Sequence, residues 1–320
     1  MVLPLHAFFK GKIVPYEQAK VGVLTHALNY GTAVFAGMSG YGNSEKEQLY
    51  LFRPLDHYRR FLNSAKIMNM DLDHTPESLT QITLELLRAD GYQRDVYIRP
   101  LAYKADEVIG VKLHDLQDEI SIVAMPFDRY ITKDTDAHVT ISSWRRVDDN
   151  AIPARGKISG TYANSALIKT DAIRAGFDEA LVLNQDGHIS EGSAMNIFML
   201  RDGVVVTPPI TDNILEGITR RTVIELAREE LKLPVVERSI DRTEVYLCDE
   251  FFMTGTAAQI TAVTRVDFRP IGKGVMGPVT ASLRQIFDDV VRGRLPKYAH
   301  WNTPVYTEKT QTVQKTAIPG

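Results

Sequence analysis

Four short segments in the second half of the chain carry groups that could do chemistry together. They are Gly156-Lys157-Ile158-Ser159-Gly160-Thr161-Tyr162, Ile189-Ser190-Glu191-Gly192, Leu215-Glu216-Gly217-Ile218-Thr219-Arg220 and Thr254-Gly255-Thr256-Ala257-Ala258. They supply a lysine amine, a phenol, a carboxylate and two glycine-containing turns rich in backbone N–H groups. These are the parts needed to hold a phosphorylated aldehyde as an imine. No one segment carries that reading; their co-occurrence within about 100 residues does.

A lone lysine is ordinarily a solvated surface charge. Lys157 differs in lying between an expected strand and an expected helix, with Gly156 and Gly160 around it and Tyr162 at the helix start. A buried lysine loses proton affinity through desolvation, and its neutral amine attacks aldehydes. Glu191 follows a hairpin strand; its plain reading is a turn glutamate, its chemical one a partner for a protonated pyridine nitrogen. Gly217-Ile218-Thr219 opens a helix whose first N–H groups lack intrahelical acceptors and point toward any anion placed there. Gly255-Thr256-Ala257-Ala258 is a second such turn, adding one hydroxyl. In the first half, Arg60 lies on an expected helix and offers a bidentate clamp for a phosphate, although its neighbour Arg59 shows how ordinary a helical arginine is.

The elements that must position these residues are readable in part. Residues 8–14 read as a hairpin turning at Lys10-Gly11. Thr25 is a candidate cap for a helix over residues 26–35. Pro54 suits the first position of a helix with the apolar stripe Leu55, Tyr58, Phe61, Leu62, Ala65 and Met68. A second helix runs from Thr75-Pro76 to Asp90-Gly91. Residues 96–102 alternate, placing Tyr97, Arg99 and Leu101 on one strand face. The apolar run 120–125 predicts a strand buried on both faces. Further on come a strand at 138–144, a helix from Tyr162 to Gly176, strands broken by Asp186-Gly187 and Asp202-Gly203, a helix from Gly217 to Leu231 and one after Gly277-Pro278. The pattern is α+β rather than a doubly wound parallel sheet. The expected division is a small N-terminal domain over 1–128, a linker over 129–137, a large domain over 138–301 and a polar tail over 302–320 that lies on the surface or docks loosely.

Bulk properties exclude several function classes. The chain has 320 residues, 44% of them apolar and 24% charged, with a net charge of -3. That balance gives no electrostatic reason for a nucleic-acid or anionic-membrane partner. No apolar run reaches membrane-spanning length, and the N-terminus does not read as a secretory leader. The single cysteine, Cys248, excludes an intramolecular disulfide framework and suits a reducing compartment, so a cytoplasmic enzyme is expected. The eight histidines are scattered without metal-ligand spacing, and no metal is expected.

With these segments in order, the chain resembles the fold-type IV pyridoxal-phosphate aminotransferases, and within them the branched-chain aminotransferases. The resemblance runs from about residue 8 to 301. It includes Thr25-His26-Ala27-Leu28-Asn29-Tyr30-Gly31-Thr32, Ser64-Ala65-Lys66-Ile67, Tyr97-Ile98-Arg99-Pro100 and the four segments above. It implies a two-domain fold like that of D-amino-acid aminotransferase, with a smaller α/β N-terminal domain and a larger C-terminal pseudo-barrel domain. It implies pyridoxal 5'-phosphate as cofactor and Lys157 as the Schiff-base lysine that also shuttles the proton. Tyr162 would hydrogen-bond the ring oxygen and Glu191 would pair with the ring nitrogen. Arg60, Gly217, Ile218, Thr219 and Thr256 would cradle the phosphate, with Leu215 against the ring. Tyr30, Phe35, Gly37, Tyr97, Arg99, Tyr130, Thr256 and Ala257 match substrate-pocket positions. A homodimer or larger assembly is implied, in which a loop around Val111 reaches a neighbour's site.

The implied reaction moves an amino group between leucine, isoleucine or valine and 2-oxoglutarate by a ping-pong route. Tyr97 and Arg99 favour it, because an arginine beside an apolar pocket can receive the γ-carboxylate of glutamate. Two departures point elsewhere. Branched-chain members usually read Phe-Glu-Gly-Ile-Arg where this chain reads Phe35-Ala36-Gly37-Met38-Ser39, and Phe127 replaces a common tryptophan. The alternative is an (R)-selective amine transaminase or a mixed-activity enzyme. D-amino-acid transamination, aminodeoxychorismate lysis and a non-catalytic binding role stand further off.

Overall fold

The computed structural model describes residues 3–127 and 135–306. The chain divides into two compact units: residues 1–29, 35–128 and 288–320 form the first, and residues 30–34 and 129–287 the second.

In the first unit an antiparallel sheet runs in the spatial order Asn302–Pro304, Gln48–Phe52, Met38–Asn43, Val96–Lys104, Asp118–Pro126, His6–Phe9 and Lys12–Pro15. The opening hairpin turns as its sequence demands, with Lys10 at φ 49 and Gly11 at φ 78, the doubly positive pair of a tight two-residue turn. Helices Pro54–Ile67 and Pro76–Asp90 form where expected. Thr75 and Ser78 cap the second reciprocally, and Gly91 ends it at φ 70. Tyr58 and Phe61 of the first helix are buried edge to face, and the Tyr58 hydroxyl bonds Thr83 of the second.

Three local expectations change. The helix after Thr25 covers only His26–Tyr30 and gives way to the strand Ala33–Phe35. Gly31 at φ 68 breaks it, and the Thr25 hydroxyl donates to the Gly22 carbonyl. The strand Asp118–Pro126 is not buried on both faces: Ile120, Ile122 and Ala124 are buried while Ser121, Val123 and Met125 are half-exposed. Its apolar run hides a one-sided strand because Val123 and Met125 occupy the open face. Of the tail, the described residues 302–306 dock, and more firmly than the loose docking expected. Asn302–Pro304 is a sheet strand, Val305 N–H donates to Leu49 O at 2.9 Å, and Val305 and Tyr306 are buried. Residues 288–301, expected with the second domain, belong to the first unit.

The second unit is built on a mixed sheet in the order Ile189–Gly192, Glu179–Leu183, Ala137–Arg145, Gln259–Val266, Glu250–Gly255, Asn196–Arg201, Val204–Thr207 and Val235–Glu237, with Arg269–Pro270 beside Gln259–Val266. Its two ends meet: Ile189 N–H donates to Ile240 O at 2.8 Å, and His188 bridges Asp241. The sheet therefore curls back toward itself, around a core that includes Val139, Leu181, Ile197, Met199, Phe251, Met253 and Val263. The rings of Phe198 and Phe252, cross-strand partners, stack 5.1 Å apart. Helix Tyr162–Arg174 lays Ile168 and Ala172 on Ala180 and Val182. Helix Ile218–Glu229 follows Gly217 directly, and Pro278–Val291, the last α-helix among the described residues, runs on into the first unit. No helix among the described residues is long and apolar enough to cross a membrane.

Candidate active site

The second unit gathers most of the sequence-predicted chemistry. Lys157 lies after the strand Ala137–Arg145 and just before a 3₁₀ turn, Ser159–Thr161, that leads into helix Tyr162–Arg174. That turn rotates the chain so that Lys157 Nζ donates to the Tyr162 hydroxyl at 2.6 Å. The segment is pinned from behind. Gly160 N–H donates to Gly31 O at 3.2 Å, and Val34 bridges Ile158. A Cβ on Gly31 would come within 2.8 Å of the Gly160 Cα, so the two backbones cross at a distance that only glycine allows. Tyr30 ends the short helix immediately before this crossing.

Glu191 is 3% exposed on the strand Ile189–Gly192. One oxygen meets the Arg146 guanidinium at 2.8 Å; the other accepts Asn196 Nδ2 at 3.1 Å and the Leu215 N–H at 3.1 Å. Burial pushes the Glu191 carboxyl above the usual carboxylate range, while Arg146, the Leu215 N–H, Lys157 and Arg220 pull it back down, in that order. Asn196 also donates to Leu215 O at 2.9 Å, so one side-chain amide fixes both the carboxylate and the segment leading to Gly217. A Cβ on Gly217 would fall 2.0 Å from Asn196 Oδ1. Gly217 is the N-cap of helix Ile218–Glu229, and no side chain among the described residues caps that first turn. Its amides are therefore directed at an outside acceptor. Thr256 and Ala257 sit in the turn between the strands Glu250–Gly255 and Gln259–Val266, closed by Gln259 at φ 53. Arg146 and Asn196 are the functional neighbours that sequence reading missed. Arg146 follows a strand end beside Arg145, with no spacing that singles it out.

The first unit assembles a different set. The Arg99 guanidinium lies 4.4 Å from the Phe35 ring centroid and 5.1 Å from that of Tyr97, and Nη2 donates to the Tyr97 hydroxyl at 2.9 Å. Its Nε is buried with no acceptor among the described residues. A Cβ on Gly37 would meet the Tyr97 hydroxyl at 2.1 Å, so this glycine makes room for the phenol. Phe127 packs against Tyr97 with ring centroids 5.2 Å apart, and Ser39 is the cross-strand partner of Tyr97. Ala36 is buried and donates its N–H to Pro100 O at 3.0 Å. Arg60 sits half-buried on helix Pro54–Ile67. Val111 is 89% exposed on the loop after Gly110, whose carbonyl contacts His26 Nε2 at 2.8 Å. Tyr130 lies outside the described residues. No cluster of metal-ligating side chains occurs among those described.

The donor set suits a phosphorylated pyridine aldehyde: an amine beside a phenol, a buried carboxylate and an uncapped helix start. Comparisons with known proteins agree. The model of the family "Amino-transferase class IV" matches residues 43–266. A probable branched-chain-amino-acid aminotransferase of Aquifex aeolicus is 47% identical over 300 residues, covering 94% of this chain and 96% of the relative. The branched-chain aminotransferase of Thermoproteus uzoniensis, solved with norvaline, superposes with a TM-score of 0.90 at 42% identity, covering 95% of this chain and 100% of the other. A branched-chain amino acid aminotransferase from T.th., complexed with N-(5'-phosphopyridoxyl)-L-glutamate, gives a TM-score of 0.89 at 40% identity, covering 96% of this chain and 100% of the other. Likeness of this extent, over both units, places the chain in the class IV aminotransferase family.

Proposed function

We propose that this protein is a pyridoxal-phosphate-dependent transaminase that moves an amino group between branched-chain L-amino acids and 2-oxoglutarate. The observation that carries the proposal is the Lys157 amine held 2.6 Å from the Tyr162 phenol, in the same unit as the buried Glu191. Pyridoxal 5'-phosphate, when bound, supplies an electrophilic aldehyde and a ring that accepts the electrons released when a Cα–H bond breaks. Lys157 would be the amine that holds that aldehyde and the base that moves the substrate's Cα proton. Tyr162 orients Lys157. Glu191 would pair with the ring nitrogen. The first-turn amides of Ile218 and Thr219, next to Gly217, would take the phosphate together with the turn at Thr256, and Leu215 would lie against the ring.

Arg99 carries the choice of substrate. Its guanidinium packs near the Phe35 and Tyr97 rings and its buried Nε has no acceptor among the described residues, so it suits the γ-carboxylate of glutamate, and its aromatic neighbours suit an aliphatic side chain in the alternate half-reaction. Relatives solved with norvaline and with a glutamate adduct support this dual use. A homodimer accompanies the proposal, supported by the exposed apolar side chains of Val23, Leu28, Ile109 and Val111 in the first unit. The buried, free thiol of Cys248 suits the cytoplasm.

The test is an amino-donor panel. L-leucine, L-isoleucine and L-valine with 2-oxoglutarate are expected to turn over well, and D-alanine and (R)-1-phenylethylamine poorly. Negligible L-leucine activity beside rapid turnover of an (R)-amine would assign Ala36 and Ser39 the controlling role and overturn the proposal. Borohydride reduction of the cofactor-loaded protein, followed by peptide mapping, is expected to mark Lys157. Light scattering in solution reads the dimer.

A further inference from the structure

Arg146 does nothing that the chemistry above requires, yet it is 7% exposed and its guanidinium is held at two points. Nη2 meets Glu191 Oε1 at 2.8 Å and Nε donates to the Asn213 carbonyl at 3.1 Å. Its own backbone is fixed at both ends: the N–H donates to Leu183 O at 2.9 Å, and the carbonyl accepts Gln185 Nε2 at 3.1 Å. Asn213 is held in turn, at φ 60, with Nδ2 donating to Asp148 Oδ2 at 3.1 Å. Two residues later the same segment delivers the Leu215 N–H to the other Glu191 oxygen. Arg146 thus clamps the carboxylate and the backbone that also binds it. A buried ion pair is rarely the most stabilising way to fill such a volume, since apolar residues often do as well or better. Its presence here suits a task for the charge.

Glu191 and the ring nitrogen it is proposed to meet compete for one proton. A carboxylate buried alone gains proton affinity until the neutral pair, carboxylic acid with unprotonated nitrogen, is favoured. A guanidinium on one carboxylate oxygen lowers that affinity and leaves the proton on nitrogen. Lys157 and Arg220 act on Glu191 in the same direction, though less strongly than Arg146.

We propose that Arg146 is a positioning residue of this site, which acts through Glu191 to keep the proton on the cofactor's ring nitrogen and to fix the carboxylate's orientation. The inference rests on the proposed pairing of Glu191 with that nitrogen and adds the residue that governs it.

The experiment follows the ring nitrogen by ¹⁵N NMR in protein loaded with ring-¹⁵N pyridoxal 5'-phosphate. Wild type is expected to give a protonated-pyridine resonance. Arg146→Gln is expected to move it toward the neutral value, with the protonated-to-unprotonated ratio falling about tenfold or more, equivalent to one pKa unit in the partner. Arg146→Lys keeps the charge and loses the fork, so it should shift in the same direction by less. A wild-type resonance in a folded Arg146→Gln protein overturns the proposal, even if its Tm falls, because a purely structural arginine would do just that. Should the glutamine variant not fold, the lysine variant decides, and a resonance identical to wild type overturns the proposal. Glu191→Gln separates the two readings. If it moves the resonance and Arg146→Gln does not, only the role of Arg146 fails. If Glu191→Gln leaves the resonance unmoved, the pairing of Glu191 with the ring fails as well.

Discussion

Glu191 and Glu250 are two buried carboxylates on one curled sheet, 3% and 6% exposed. They solve the same physical problem in opposite ways. Glu250 accepts the Val279 N–H at 3.0 Å, the Thr280 N–H at 2.7 Å and the Thr280 hydroxyl at 2.6 Å. It is an anion placed on the first turn of helix Pro278–Val291, where orphan amides and the helix dipole favour negative charge. Gly277 makes this possible, since a Cβ there would lie 2.1 Å from the Glu250 carboxyl carbon. Glu191 instead has a guanidinium on one oxygen, with a side-chain amide and a single backbone N–H on the other. Burial of a carboxylate is therefore no mark of chemistry. What distinguishes the two is whether the partners use the charge up in holding the fold or tune it.

Substitutions can sharpen or break this contrast. The scale is set by Lys157→Ala, which should lower turnover at least about 10⁴-fold while leaving the fold intact, read by steady-state rates and circular dichroism. Glu191→Gln should cost about 10²-fold or more in turnover, chiefly in the proton-transfer step, as a substrate-deuterium isotope effect would show. Unaltered turnover would make Glu191 as structural as Glu250. Glu250→Ala should do the reverse: about 3 kcal/mol of stability lost in denaturant unfolding, with turnover per folded molecule unchanged. Thr280→Val removes one of its three contacts and should cost about 1 kcal/mol. The smallest signal comes from Cys248, which is buried and whose thiol desolvation pushes up to about 12. Iodoacetamide at about pH 8 should label it only through unfolding, faster in Glu250→Ala than in Glu191→Gln.

The contrast also bears on what can be read from the sequence. Glu191 stands out through the Ser190-Glu191-Gly192 segment, although it lies within the strand Ile189–Gly192 and not in the turn those neighbours suggest, and Lys157 stands out because its helix partner Tyr162 is local. Helices 54–67 and 76–90 are legible through periodicity and through Pro54, Thr75 and Gly91, which act within one turn. What escapes depends on distant chain. Arg146 meets Glu191 across 45 residues of sequence, and Glu250 meets its helix across 29 or 30. The helix after Thr25 reads too long because its end is set where Gly31 crosses Gly160. The strand 118–126 reads as fully buried because its open face carries Val123 and Met125 rather than polar residues. No local pattern contains the partner that decides such cases.

The strand Asn302–Pro304 sets an order of events. It pairs with Gln48–Phe52, Gln48 Nε2 donates to Tyr306 O at 2.7 Å, and Arg53 N–H donates to Trp301 O at 2.7 Å. A sheet edge made from residues near 50 thus stays open during synthesis until residues beyond 300 have left the ribosome. For that interval Gln48–Phe52, though pairable with Met38–Asn43 on one side, keeps its other edge unpaired, a template that any extended segment could join. Closing it spans nearly the whole described chain, a long-range step of the kind that slows folding. Yield in the cell is thereby tied to the last few residues of the described chain, far in sequence from every group that does chemistry.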